Sequence, residues 1–172
     1  EAGKQYEVYI YYHNDASETY NDLAYNQVGV ALETRLISDF PDELAKNERQ
    51  AIIGKITSTT ATPAAVWDEA YVTAKEAMTL HYIEGSAKIY NQWNKNGTLL
   101  STRLFSPEGT YLGTSQLNGI IFGCDRFSGS VRYTIQTVAK GAPAPDPEPV
   151  DPTPDPEPEP DPEPEPEPEP TP

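Results

Sequence analysis

Little in this chain of 172 residues is equipped for covalent or acid–base chemistry. It has one cysteine, Cys124, which excludes an intrachain disulfide and any paired-cysteine metal or redox motif. A lone thiol suits a reducing compartment, and equally a surface protein large enough to fold without cross-links. Histidine occurs twice, at His13 and His81, so a conventional general base has two places to sit. Bases are scarce: 12 Lys and Arg face 27 Asp and Glu, a net charge of −15. Phosphate binding needs clustered cations, so nucleic acid is excluded as the expected partner, and anionic membrane surfaces are disfavoured for the same reason. No run approaches the roughly 20 apolar residues of a membrane-spanning helix. The first residue is Glu1, not Met, and the last residues stop within a repeat. Both features are expected of a processed or excised piece whose envelope attachment lies beyond Pro172.

What the chain has in quantity is proline, and it is unevenly placed. Of the 18 prolines, 15 fall between Pro143 and Pro172, alternating for the most part with Asp or Glu. Each ring fixes φ and removes a backbone donor, and the residue before it is pushed to extended geometry. Neither helix nor sheet survives that, and the carboxylates repel one another along the coil. The segment is predicted to form a polyproline II rod of about 90 Å, rising about 3.1 Å per residue. It holds eleven acids and no base, leaving sixteen acids and twelve bases before it, a balance of −4. The chain therefore divides into a folded head, residues 1–142, and an acidic stalk, residues 143–172.

Within the head, period-two alternation dominates. Gln5 to Tyr12 sets Tyr6, Val8, Ile10 and Tyr12 on one face and Glu7, Tyr9 and Tyr11 on the other, as a strand requires. His13 to Gln27 is polar and reads as a long loop. Val28 to Asp39 alternates again. Leu44 to Gln50 offers at most one helical turn. Ala51 to Thr62, Val66 to Val72, Met78 to Ile83, Ala87 to Trp93, Leu99 to Phe105 and Ser130 to Val138 supply further strands. Glu84-Gly85-Ser86 marks a tight turn and Asn96-Gly97 a hairpin. About eight short strands with regular turn signals and no convincing helix predict an all-β antiparallel sandwich, with the first and last strands at opposite sheet edges.

His81 alternates within a strand and reads as a packed or hydrogen-bonded sheet residue. His13 sits at a strand end in a turn. Cys124, between Gly123 and Asp125, reads as a small buried side chain. No nucleophile elbow, glycine-rich phosphate loop or paired-carboxylate geometry is present, so a non-enzymatic protein is expected. Asp15-x-Ser17-x-Thr19-x-Asn21-Asp22 resembles the start of a calcium loop, but Tyr20 stands where glycine is needed and Asn26 where the bidentate Glu belongs. A looser Ca²⁺ site on Asp15, Glu18 and Asp22 remains a candidate, beside a plain solvated loop; no other cofactor is expected. Tyr6, Tyr9, Tyr11, Tyr12, Tyr71, Tyr82, Tyr90 and Trp93 would suit a carbohydrate-stacking face, or else pack within the sandwich.

Several stretches in order carry a family resemblance: Tyr-Ile-Tyr-Tyr-His-Asn at 9–14, Val28-Gly-Val-Ala, Ser38-Asp-Phe-Pro, Ala65-Val-Trp-Asp-Glu-Ala, His81-Tyr-Ile-Glu-Gly-Ser-Ala, Leu112-Gly and Gly123-Cys-Asp-Arg-Phe-Ser-Gly-Ser-Val. Together they resemble the "conserved repeat" β-sandwich domains of large bacterial surface proteins. Phe40-Pro41 stands where that family has a Leu-Pro corner, and Ile83-Glu84 where it has Val-Pro in a hairpin. The resemblance implies an immunoglobulin-like sandwich, an extracellular location at the bacterial surface, and no catalytic residues. The expected function is display on the stalk for adhesion or self-assembly into fibres, with other copies or host proteins and glycans as partners. A carbohydrate-binding module is the alternative.

Overall fold

The computed structural model describes residues 1–141; the predicted stalk, 143–172, lies outside the described residues. Its longest alternating stretch becomes the central strand. This is β10, Gly129–Ala139, whose Val131, Tyr133, Ile135 and Thr137 are buried while Arg132, Thr134 and Gln136 on the opposite face are half-buried. The first strand, β1 (Gln5–Tyr12), lies antiparallel along one flank of β10, with Gln5 opposite Gln136 and Tyr12 opposite Gly129. The terminal strands are thus neighbours and not opposite edges: β1 is an edge, but β10 is paired on both sides. Its second flank is covered end to end by β6 (Met78–Tyr82) and β7 (Lys88–Asn91). Two short strands, β3 (Glu43–Leu44) beside β6 and β8 (Thr98–Leu99) beside β7, complete this larger sheet.

The junction of β6 and β7 is not a hairpin. Ile83 N–H donates to Thr134 O (2.9 Å), Thr134 N–H donates to Ser86 Oγ (3.0 Å), and Ser86 Oγ–H donates to Ile83 O (2.6 Å). The Glu84-Gly85-Ser86 turn, with Gly85 at φ 75°, is looped out of a line of pairing that resumes on the same side of β10.

A smaller sheet faces it. β4 (Arg49–Thr57) pairs with β5 (Ala65–Thr73) over nine residues and with β2 (Arg35–Asp39) on its other side, and β9 (Thr110–Tyr111) follows β2. Among the described residues helix is confined to four single-turn 3₁₀ segments, and no helix is long and apolar enough to cross a membrane. The fold is all-β, two antiparallel sheets on one core.

Leu36 and Ile52 of the smaller sheet meet Met78, Leu80, Ile89, Val131 and Ile135 of the larger. Burying each such side chain contributes roughly 1.5–3 kcal/mol. Tyr133 ties the sheets directly: its hydroxyl lies 2.8 Å from Ser38 Oγ, which also lies 3.1 Å from Ile53 O as a donor. Phe40, Tyr82 and Phe105 surround the Tyr133 ring, and burial pushes its phenol up to about 12. Gly129 permits the close approach of Tyr12 and of the β7 backbone to β10, since a Cβ there would stand 2.5 Å from the Tyr12 hydroxyl and 2.6 Å from Tyr90 O.

Four expected elements differ, the first being Ala51 to Thr62, whose strand begins at Arg49 and already ends at Thr57. Val28 to Asp39 forms a strand only from Arg35, because Glu33 adopts a left-handed φ of 51° and breaks the extended run. Leu99 to Phe105 leaves the sheet after Leu99: Ser101 caps a 3₁₀ turn over Thr102–Phe105, which buries Leu104. Leu44 to Gln50 is not helical; it joins β3 to β4 through Asn47 at φ 59°.

Candidate functional site

The polar stretch after β1 is held down by two asparagines. Asn14 donates to Gly29 O (2.7 Å) and Ile121 O (3.0 Å), while Asn21 and Gly123 exchange two hydrogen bonds of 2.8 Å. Two 3₁₀ turns, Glu18–Asn21 and Leu23–Tyr25, fill the span. The three candidate calcium ligands are not gathered. Asp22 caps the second turn through Ala24 N–H (2.7 Å), Glu18 pairs with Arg126, and Asp15 lies at the rim of a cavity. Among the described residues no group of three His, Cys, Asp or Glu is placed to hold a metal ion.

Of the other sequence candidates, His81 shares a hydrogen bond of 2.9 Å with Thr79 on the outer face of the larger sheet, and His13 is exposed beside Tyr11. Cys124 is half-buried, not buried, and sits at φ 103°. The cavity, about 300 Å³, opens between the end of β1 and the β4–β5 turn, with His13, Asp15, Ile56, Val66 and Leu112 among its walls. Thr34 also faces it, and its buried hydroxyl has no hydrogen-bond partner among the described residues.

The eight aromatic candidates separate by position. Tyr12 and Tyr82 belong to the core region, and Trp93 stacks on Phe127 with ring centroids 5.4 Å apart. Tyr6, Tyr9, Tyr11 and Tyr71 are exposed. Tyr71 falls on one surface and Tyr9 and Tyr11 on another, each shared with a residue outside the aromatic candidates, while Tyr6 lies on the core-side face of β1 opposite Ile135.

The first surface is the outer face of the smaller sheet at β5. Trp67 is 70% exposed and Tyr71 48%, on one side of the strand with Glu69 between them. Tyr71 donates to the Glu69 carboxylate, which pushes its phenol up, and the Arg49 guanidinium lies 3.6 Å over its ring. Lys55 stands opposite Trp67 on β4. β5 is also an edge strand, and its Val66 and Ala70, which share the face of the core residues Ile56 and Ile52, remain exposed. It overhangs the core for most of its length, with Val72 alone packed against it.

The second surface is the outer face of the larger sheet. The register lines up Tyr9, Arg132, Lys88 and Leu99 across four strands, and beside them Tyr11, Ser130 and Tyr90 across three. The Arg132 guanidinium lies between two rings, 5.1 Å from the centre of Tyr9 and 4.9 Å from that of Tyr90. Its Nε is buried with no hydrogen-bond partner among the described residues, and none of the ion pairs found there involves it. The sequence shows Arg132 only as a polar residue in an alternating strand; its tyrosine neighbours come from strands remote in the chain.

No family model, no curated protein and no solved structure matches this chain.

Proposed function

We propose that this chain is a non-enzymatic display and assembly module of a bacterial cell-surface protein. In this reading the two sheets form an immunoglobulin-like sandwich of the "conserved repeat" kind, carried outside the cell on the acidic polyproline stalk. The observation that carries it is the pair of long edge strands, β1 and β5, with eight and nine residues. An edge strand offers an unpaired row of backbone donors and acceptors, and pairing with another chain satisfies them. Both edges also expose apolar rings, Tyr6 and Tyr9 on β1 and Trp67 and Tyr71 on β5. Asp68 shares the core-side face of β5 with Val66 and Ala70, so a strand added there must bring a cation or leave Asp68 at a wet margin.

The test is the mass of the full chain in solution by light scattering across concentration, beside Val66→Lys with Ala70→Lys. Growth in mass that the paired charges abolish is the expected result. A chain that stays monomeric at all concentrations overturns assembly through these edges.

A second reading is supported by Trp67 and Tyr71. Two exposed rings on one strand face, about 13–14 Å apart at 3.4 Å per residue, with Glu69, Lys55 and Arg49 among them, suit stacking and hydrogen bonding to a sugar chain. Quenching or a blue shift of Trp fluorescence on adding oligosaccharides, lost in Trp67→Ala, is its signature.

A further inference from the structure

We infer that the tyrosine–arginine face of the larger sheet is a docking surface for the Pro/Asp/Glu segment 143–172 of a second copy of this chain. The inference rests on the assembly reading above and names a surface within it that neither edge strand provides.

The chemistry of the two parties is complementary. The face presents Tyr9, Tyr11 and Tyr90 around Arg132 and Lys88, with Glu7 one row away on β1. Proline-rich segments dock on aromatic surfaces because their rings pack flat on aromatic faces and their backbone has little entropy left to lose. Arg132 is pinned between two rings with its Nε already shut off from water, and it has no ion pair among the described residues, so a carboxylate reaching its terminal guanidinium nitrogens gains a charge-assisted hydrogen bond at a partly desolvated cation. Residues 143–172 supply eleven carboxylates and no competing cation.

The spacings also agree. A polyproline helix turns once in three residues, so one side of an alternating Pro-acid sequence presents proline, then acid, then proline, about 9.3 Å apart. Across the sheet, Tyr9 and Lys88 are separated by one strand, which is about 9.6 Å at normal strand spacing. A rod laid across the strands that sets a proline on Tyr9 sets the acid three residues on at Lys88, and the acid one residue on, about 3.1 Å along the rod, beside Arg132. Because every side of an alternating rod has the same pattern, the stretch from Pro154 onward needs no particular rotation to bind.

A second copy is favoured over the chain's own segment. Ala139 is seven residues along β10 from Arg132, about 24 Å, and the chain leaves the sheet at that far end heading away from the tyrosines. A stiff segment would have to reverse at once to reach its own face. Docking onto the next molecule is head-to-tail, and such contacts propagate into open fibres unless a ring closes.

The experiment uses a fluorescent synthetic peptide of residues 153–172 and the full chain with the eleven acids of 143–172 changed to their amides, so that its own segment does not compete. Anisotropy is expected to rise saturably. Arg132→Gln should weaken binding roughly tenfold, the loss of one charged hydrogen bond, and Lys88→Gln should weaken it less. A peptide with alanine for proline should bind more weakly as well. Absence of binding overturns the inference, as does equal binding by both the Arg132→Gln and Lys88→Gln chains, or by the alanine peptide. Should Arg132→Gln melt early, Lys88→Gln decides alone. Light scattering on the unmodified chain separates the two levels: fibres without peptide binding leave the assembly reading standing and remove this surface. Peptide binding by a chain that never associates retains the surface, occupied in cis, and removes the second copy.

Discussion

β10 and β5 are both long, both alternate, and both carry aromatic residues, yet they have opposite fates. β10 is paired on both flanks and buries every second side chain, including Tyr133 and Val131. β5 is paired on one flank only, and on its core-side face Val66, Asp68 and Ala70 are open to water, with only Val72 packed against the core. What separates them is coverage. β10 packs one whole face into the core, while β5 packs only Val72 against it. Stability should reside in the first strand and interaction in the second, and each prediction below tests that division.

The largest effect is expected at Tyr133. Tyr133→Ala removes a buried ring among Phe40, Tyr82 and Phe105 together with the bridge to Ser38, and should cost about 3–5 kcal/mol in denaturant unfolding. A loss below about 1 kcal/mol would contradict the core described above.

Alkali should probe the same residue more gently. The Tyr133 phenol titrates near 12 when folded and near 10 when unfolded, so its contribution is intact below pH 10 and is lost as pH rises towards 12. About 3 kcal/mol should disappear over that window, with burial of Tyr12 acting in the same direction. Tyr133→Phe should be about 1 kcal/mol less stable at pH 8 and show a much shallower alkaline fall.

A middling effect is expected at Asn91, which ends β7. Its amide nitrogen donates to Gly113 O, Thr114 O and the Tyr12 hydroxyl, and its oxygen accepts from Trp93 N–H and Asn94 N–H. Asn91→Ala leaves several of these groups without partners and should cost about 2–3 kcal/mol, measured as a lowered denaturation midpoint.

Thr34→Val reverses the sign. It replaces a buried hydroxyl that has no partner among the described residues by a methyl group, and should be neutral or stabilising by up to about 1 kcal/mol. The smallest stability change belongs to β5: Trp67→Ala should stay within about 0.5 kcal/mol of the parent while altering association or glycan binding. Hydrogen exchange sharpens the contrast further, with β10 amides protected to the global limit and outward β5 amides exchanging early.

Local alternation made much of this fold legible. Gln5–Tyr12 forms a strand with the bounds its pattern suggests, and β5 and β10 each extend about one residue beyond theirs at both ends. What pattern does not reveal is where φ turns positive in a residue other than glycine. Glu33 cuts short the alternation that begins at Val28, although nothing in Val-Ala-Leu-Glu-Thr announces a left-handed residue. Nor does it reveal partners. The same alternation describes β10 and β5, and which of them is covered depends on contacts between strands remote in sequence. The candidate surfaces were half visible for that reason. The exposed tyrosines of β1 stand out, but Arg132 gains its meaning only from Tyr9, which is 123 positions away, and Tyr90. The oxygen-rich loop after His13 shows the converse case. Asp22 there caps a turn, and a side chain that caps a turn looks in sequence like one that binds an ion.

The looped-out turn between β6 and β7 has a consequence for how this protein tolerates change. Tyr82 faces Ile135 and Lys88 faces Arg132, so five residues on one side answer to two on the other. The surplus is absorbed at Glu84-Gly85, outside the ladder, while Ile83 and Ser86 close the gap behind it. Added length at that point leaves the pairing on either side in register. The chain carries a natural port there, where a foreign peptide can be grafted for display without disturbing the strand that holds the molecule together.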